Sequence, residues 1–311
     1  MKQQGQITIF SGSSGLNTVS DEVRLPTDPN TGLCDLAQAV NVRVDINGRV
    51  TRRTGFVRKQ TGEFHSVFCR RADCYVAKEF PGDCSILRVA SDLSLVGVRS
   101  GLAKNRRISW AQDDDNAVIY YANGIQNGII VAGVSSPWPN LSTASTIEPT
   151  FRHFSPAPVG HRISLVHGRM LIATTEALYY SEPWNYGKYD LGGAYLAHPV
   201  VRMIKEVDAG VFISTDKETI FYRGIDLAEA SPVTVADYPA LEWSEAEDYV
   251  EGAEIGLEPG KCALWASPEG LCAGTAAGTF HNLTKNKVVY PEAVSRGASL
   301  LHGYNLIHCM Q

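Results

Sequence analysis

Three stretches of this sequence follow one plan. In ISLVHGRMLIATTEALYYSE an apolar run from Ile163 meets a His-Gly-Arg turn, returns from Met170 to Ala173, and after Thr-Glu runs on from Ala177 to Tyr180. VRMIKEVDAGVFISTDKETIFYRG repeats this with Asp-Ala-Gly and Asp-Lys-Glu at its turns. CALWASPEGLCAGTAAGTFHNL repeats it again, with Pro268 to Gly270 and Ala276 to Gly278 at the turns. Alternation, β-branched and aromatic enrichment and tight-turn chemistry predict a three-stranded antiparallel meander in each. Such a small sheet cannot bury both its faces alone, so each copy needs neighbours on either side.

Two looser copies lie upstream, RISWAQDDDNAVIYYANGIQNGIIVAG from Arg107 and SVFCRRADCYVAKEFPGDCSILRVA from Ser66, and ASLLHGYNLIHCM supplies two further strands from Ala298. Repeat starts near Ser66, Arg107, Ile163, Val200, Cys262 and Ala298 are about 36 to 62 residues apart, which brackets the blade length of propeller arrays. The expectation is an all-β chain with an extended arm over 1–37 and a single six-bladed β-propeller over 38–311. Its blades fall near 66–100, 107–150, 162–198, 200–240 and 260–292, with 298–311 completed by 38–60. In QAVNVRVDINGRVTRRTGFV, Val42, Val44 and Ile46 alternate before Asn47-Gly48, a type I′ hairpin signal. Pairing this hairpin with the last two strands would remove an open sheet edge.

Helical pattern is nearly absent. EWSEAEDYVEGAEIG is the best stretch, and Gly252 and Gly256 limit it to one or two turns. The proline-bearing stretches SSPWPNLSTASTIEPT and EASPVTVADYPALEW read as inter-blade connections containing outer strands.

At 311 residues with 44% apolar content the chain can bury a substantial core without staples. The seven cysteines, at 34, 69, 74, 84, 262, 272 and 309, are odd in number and lack paired two-residue spacings. Reduced, mostly buried thiols are therefore expected rather than a disulfide framework or zinc site. The N-terminus lacks the hydrophobic region of a secretory signal, and GIIVAGV is far short of a bilayer span, so no membrane anchor is expected.

The chain contains no Gly-x-Ser-x-Gly elbow, His-Glu-x-x-His pair or Gly-x-x-x-x-Gly-Lys loop, so no catalytic residue, cofactor or metal ligand is nominated. QDDDNA, with Asp113 to Asp115, lacks the glycine and terminal glutamate of a calcium loop and reads as a hairpin turn. His153, His161 and His167 are too spread along the chain to share one ion.

Charge is uneven. From Arg43 to Arg107 fourteen Lys and Arg face six Asp and Glu, a balance of +8 in a chain of net charge −5, and Glu242 to Glu258 holds seven acids and no base. Arg49, Arg52, Arg53, Arg58, Arg70, Arg71, Arg106 and Arg107 fall near turns or strand starts. Solvated strand edges, pairing between subunits and contact with DNA are all consistent with that placement.

The segment GLNTVSDEVRLPTDPNTGLCDLAQAVNVRVDINGRVTRRTGF resembles the opening of propeller proteins in bacteriophage tails. Asn41, Asp45, Gly48, Arg53, Gly55 and Phe56 stand at the hairpin that introduces the first blade. ALYYSEPWNYGKYDL, from Ala177 to Leu191, is similar to a further segment of such virion proteins. The resemblance implies a tail nozzle or packaged-DNA stabilisation protein of a short-tailed phage, assembled in the host cytoplasm and resident in the virion. Its subunits would form a homo-oligomeric ring, commonly a hexamer, below the portal and adaptor and above distal tail proteins. DNA would pass without sequence-specific contact.

On that reading the arginines form the subunit or partner interface, and Glu242, Glu245, Glu247, Asp248, Glu251 and Glu254 face the channel. The alternative is a propeller lectin or receptor-binding tail component that stacks host glycans on SSPWPN and SEPWNYGKY.

Overall fold

The computed structural model describes residues 12–311 except 46, 54, 56, 71–72, 141–153, 193–194, 197, 199, 251–257, 286, 291–295, 303–304 and 311. Among the described residues the chain is all-β, with one single-turn 3-10 helix at Glu22–Arg24 whose first turn is capped by Asp21. An N-terminal unit comprises β1 (Ser13–Leu16), parallel to β2 (Cys34–Leu36), and the hairpin β3 (Val42–Val44) and β4 (Val50–Arg52).

Five antiparallel sheets follow in chain order. The first contains β5 (Glu63–Arg70), β6 (Asp73–Glu79), β7 (Cys84–Val89) and β8 (Leu95–Leu102). The second contains β9 (Ser109–Asp113), β10 (Val118–Ala122), β11 (Asn127–Val131) and β12 (Val134–Ser136). The third contains β13 (Arg162–Val166), β14 (Arg169–Ala173), β15 (Leu178–Glu182) and β16 (Asn185–Tyr189), with β17 (Tyr195–Leu196) also on β15. The fourth contains β18 (Met203–Val207), β19 (Gly210–Ser214), β20 (Thr219–Arg223) and β21 (Ser231–Ala236). The fifth contains β22 (Ala246–Val250), β23 (Gly260–Ser267), β24 (Gly270–Gly274) and β25 (Phe280–Asn282). The chain then forms the hairpin β26 (Gly297–His302) and β27 (Asn305–Met310).

Alternation sends successive side chains to opposite faces, so the second, third and fourth sheets each feed two cores. Met170 and Ile172 of β14 join Ile163, Tyr120 and Trp138 between the second and third sheets, while Leu171 and Ala173 join Ile204, Val211 and Ile213 between the third and fourth. Ile86, Tyr75 and Ile119 fill the layer between the first two sheets, and Phe212, Phe221 and Trp265 that between the last two. Trp265 is fully buried. Each large apolar side chain so buried contributes about 1.5–3 kcal/mol. The sheets meet along a chain of strands: β9 packs on β13, β13 on β18, and β18 on β23, the second strand of the fifth sheet.

Three local expectations are corrected. The Asn47-Gly48 hairpin is not a two-residue turn: Val44 pairs with Val50 across the five positions 45–49. Asp45 organises that loop, its Oδ1 accepting from the backbone N–H of Asn47 and Arg49 at 2.9 Å each, the Asp-centred turn that competes with a tight hairpin. Residues 246–250 form β22 rather than a helical turn, because pairing with the free edge of β23 outweighs intrinsic helix propensity. Cys69 and Cys74, expected to be reduced, form a disulfide, because β5 and β6 place them directly opposite each other.

The two chain ends do not share a sheet among the described residues: β3–β4 and β26–β27 are each two-stranded. The N-terminal hairpin is held by the arm instead, with Ser13 N–H donating to Gly48 O at 2.8 Å and Leu33 packed on Gly48. Gly48 has φ 79°, and a Cβ there would fall 2.5 Å from the Leu33 side chain, which requires glycine.

Candidate functional site

Two places gather polar side chains from several sheets. The first lies where the chain from Leu241 enters β22. Leu241 N–H bonds Ala266 O at 2.8 Å, and the buried Ser244 hydroxyl donates to Leu241 O at 2.7 Å while accepting from Ala266 N–H at 3.1 Å. These bonds fix Trp243 between them in a left-handed conformation, φ 67°. Its ring lies 3.5 Å from the Arg162 guanidinium carbon and 5.8 Å from that of Arg107, a cation–π arrangement.

Arg162 Nη1 is 2.6 Å from Glu245 Oε1, Lys205 Nζ is 3.7 Å from Glu247 Oε2, and Arg296 Nε is 3.8 Å from Glu242 Oε2. Burial pulls the Arg162 guanidinium below its ordinary pKa, with Glu245 and Glu242 acting against the shift. For Arg107 burial acts first and the charge of Arg296 second, in the same direction. Glu242, Glu245 and Glu247 thus each face a cation, which reduces the negative potential they can present to a polyanion, while Glu258 accepts from Thr275 Oγ1 at 3.3 Å. The Asp248 side chain, Glu251 and Glu254 lie outside the described residues.

The basic residues are dispersed. Arg49, Arg52, Arg53 and Arg58 are exposed on or just after the N-terminal hairpin, and Arg106 is exposed far along the chain. Arg107 turns inward and donates to Gly297 O at 2.9 Å. The side chain of Arg70 and all of Arg71 lie outside the described residues, as does His153. His161 and His167 have separate partners, Val201 O at 2.9 Å and Glu206 Oε1 at 3.3 Å.

The second place is a cleft of about 300 Å3 between the second and third sheets, lined by Asp113, Asn116, Tyr120, Trp184, Asn185 and Tyr186. The Asp113 to Asn116 turn forms one side, with Asn116 Nδ2 donating to Asp113 Oδ2 at 2.7 Å. The turn from β15 to β16 forms the other. There Trp184, φ 55°, is 71% exposed, with its N–H on Gly168 O at 2.7 Å and its ring over Gly168, whose added Cβ would lie 2.7 Å from the indole.

Behind the cleft, Trp138 Nε1 donates to Tyr186 O at 2.7 Å, and the indole lies tilted 4.7 Å from the ring of Tyr120, which meets Tyr186 edge-on at 5.8 Å. Burial, with Asp113 adding to it, pushes both the Tyr120 and Tyr186 hydroxyls up to about 12, so both remain neutral donors. Tyr186 Oη and Asn185 Oδ1 are buried without a hydrogen-bond partner. An exposed indole beside unsatisfied hydroxyl and amide groups suits a ligand with an apolar face and several hydroxyls. Both aromatic stretches, SSPWPN and SEPWNYGKY, meet here. The part of Asp113 was hidden in the sequence, where QDDDNA reads only as a turn.

Successive antiparallel sheets packed face to face, β9 on β13, β13 on β18 and β18 on β23, make this a β-propeller-like protein. No family model and no curated protein matches the chain. Similar solved structures include a protein from Lactobacillus plantarum at 11% identity and TM-score 0.44, covering 79% of this chain and 78% of that one. The N-terminal domain of Nup159 is 9% identical at TM-score 0.45, covering 84% and 76%. A putative 6-phosphogluconolactonase from Bacteroides uniformis is 11% identical at TM-score 0.42, covering 80% and 77%.

Proposed function

We propose that the chain is a non-catalytic structural subunit of a short-tailed phage tail, part of a nozzle or head-to-tail ring that extends the DNA channel and helps retain the genome. The observation that carries this reading is the exposed basic hairpin β3–β4, which pairs with none of the five sheets and is bonded to the N-terminal arm. The residues that carry the family resemblance have local jobs in it: Asp45 caps the loop, Gly48 takes the left-handed turn, and Arg53 N–H bonds Asn41 O at 3.0 Å. The exposed arginines at this hairpin would meet an acidic surface of a neighbouring subunit or adaptor, since complementary potentials set register. Replacing Arg52 and Arg53 by glutamate should lower particle yield or release packaged DNA early. Normal yield and genome retention in that variant would remove the proposal.

A second reading, a glycan-binding tail component, is favoured by the Trp184 cleft. A glycan array separates the two. A nozzle subunit binds none, whereas a receptor-binding subunit binds a defined sugar and loses it with Trp184→Ala.

A further inference from the structure

The first sheet brings together three side chains that the sequence keeps 14 and 5 residues apart: His65 of β5, Glu79 at the end of β6 and Cys84 at the start of β7. Their donor atoms all lie within 4.8 Å of one another. His65 Nε2 is 3.0 Å from Glu79 Oε1 and 3.8 Å from Cys84 Sγ. We propose that His65, Glu79 and Cys84 form a binding site for a borderline-soft divalent cation, zinc being the best match to a nitrogen, oxygen and sulfur donor set.

The strands themselves aim the donors. Glu79 and Cys84 are a directly opposed pair across β6 and β7. A bulge in β5 between His65 and Phe68, with Ser66 in the left-handed region at φ 51°, breaks the regular alternation beside the histidine. Bulges often re-aim a side chain in this way. Zinc accepts these three ligand types in sites completed by a fourth, exchangeable position.

An independent observation points to a missing ligand. The Glu79 side chain is only 8% exposed, its Oε1 accepts from Asn105 N–H at 2.9 Å and lies 3.0 Å from His65 Nε2, and its Oε2 is buried with no hydrogen-bond partner. A buried carboxylate oxygen without a donor is costly, and a cation would satisfy it. The outer support is also in place. His65 Nδ1 lies 2.8 Å from Ser66 Oγ, which accepts from Ile108 N–H at 2.8 Å. With Nδ1–H donating to Ser66, Nε2 is left as the ligand atom, the tautomer control common around metal-bound histidine.

The charges balance. A divalent ion bound to neutral His65, the Glu79 carboxylate and the Cys84 thiolate makes a site of net zero charge, with the thiol proton released to solvent. Neutrality matters because Cys84 is fully buried.

The test is titration of the whole chain with Co2+, a spectroscopic stand-in for zinc, without reductant so that Cys69 and Cys74 stay bonded. One equivalent should give a thiolate-to-cobalt absorption that zinc abolishes and that Cys34→Ser/Cys309→Ser retains. Cys84→Ser should lose the band while melting cooperatively, and Ser66→Ala should keep it with about 10–100-fold weaker binding. Should Cys84→Ser fail to fold, His65→Gln and Glu79→Gln decide, and unchanged affinity in both overturns the site. Absence of the band in the folded parent protein, or its persistence in folded Cys84→Ser, overturns it equally.

Discussion

Arg162 Nη1 and Glu245 Oε1, 83 residues apart in the chain, meet at 2.6 Å with side chains only 4% and 15% exposed. The pair ties the first strand of the third sheet to the segment entering the fifth, and Trp243 covers its guanidinium. Removing one partner strands the other. Glu245→Ala should cost about 3–5 kcal/mol, while Arg162→Met with Glu245→Leu should be near neutral, because buried charges are expensive to desolvate and only their pairing offsets that. Urea unfolding of the three proteins checks this, and equal loss in the single and double variants would contradict it.

Stability should decline as pH falls below about 6.5. Burial holds the pKa values of His161 and His198 below the ordinary histidine value, their Nε2 atoms lying 2.9 Å from Val201 O and 2.6 Å from Tyr222 Oη. A depressed folded pKa means that the unfolded chain takes up protons first, so stability is full above the unfolded value and lost on acidification toward the folded one. Melting temperature measured across pH 7.5 to 5 should fall less steeply in His161→Gln.

Asp35 should act on the acid side of that range. Burial opposes its charge, but hydrogen bonds from Ser14, Asn17 and Lys287, with the Lys287 charge, outweigh burial and hold its carboxyl below the ordinary value. Its contribution is therefore present above about pH 4 and lost as pH drops through the lowered value. Lys287 Nζ lies 3.0 Å away, and Thr18 N–H bonds Lys287 O at 2.7 Å, so this contact anchors the N-terminal arm to the chain that leaves β25. Asp35→Asn should raise hydrogen exchange at residues 13–36 at neutral pH while leaving the sheets protected.

Gly278→Ala should destabilise the fifth sheet. The residue sits at φ 84° in the turn before β25, and a Cβ there would fall 2.2 Å from the Phe221 ring. Left-handed strain of about 1–2 kcal/mol adds to roughly 1–3 kcal/mol of overpacking. Thermal unfolding reads the loss, and a wild-type melting temperature would show that Phe221 swings aside freely.

The strands, their turns and the all-β class were legible because they are local. Ile163 to Tyr180 carries its own alternation and turns, and that pattern is visible whatever the chain packs against. SSPWPN and SEPWNYGKY were legible as aromatic loops, though not as two walls of one cleft. Edge protection predicts pairing of the N-terminal hairpin with the last strands, which the described ladders do not contain; the Ser13–Gly48 bond and the Leu33 contact tie the hairpin to the arm instead.

By itself the sequence determined a chain of repeated antiparallel meanders with unequal charge along its length. Only the tertiary structure decided that Glu242, Glu245 and Glu247 face Arg296, Arg162 and Lys205, that Asp113 shares a cleft with Trp184, and that His65, Glu79 and Cys84 converge. Alternation and turn chemistry act over a few residues and leave a mark on each. Pairing between strands and packing between sheets join residues tens of positions apart, and which ones meet depends on register and on every intervening turn.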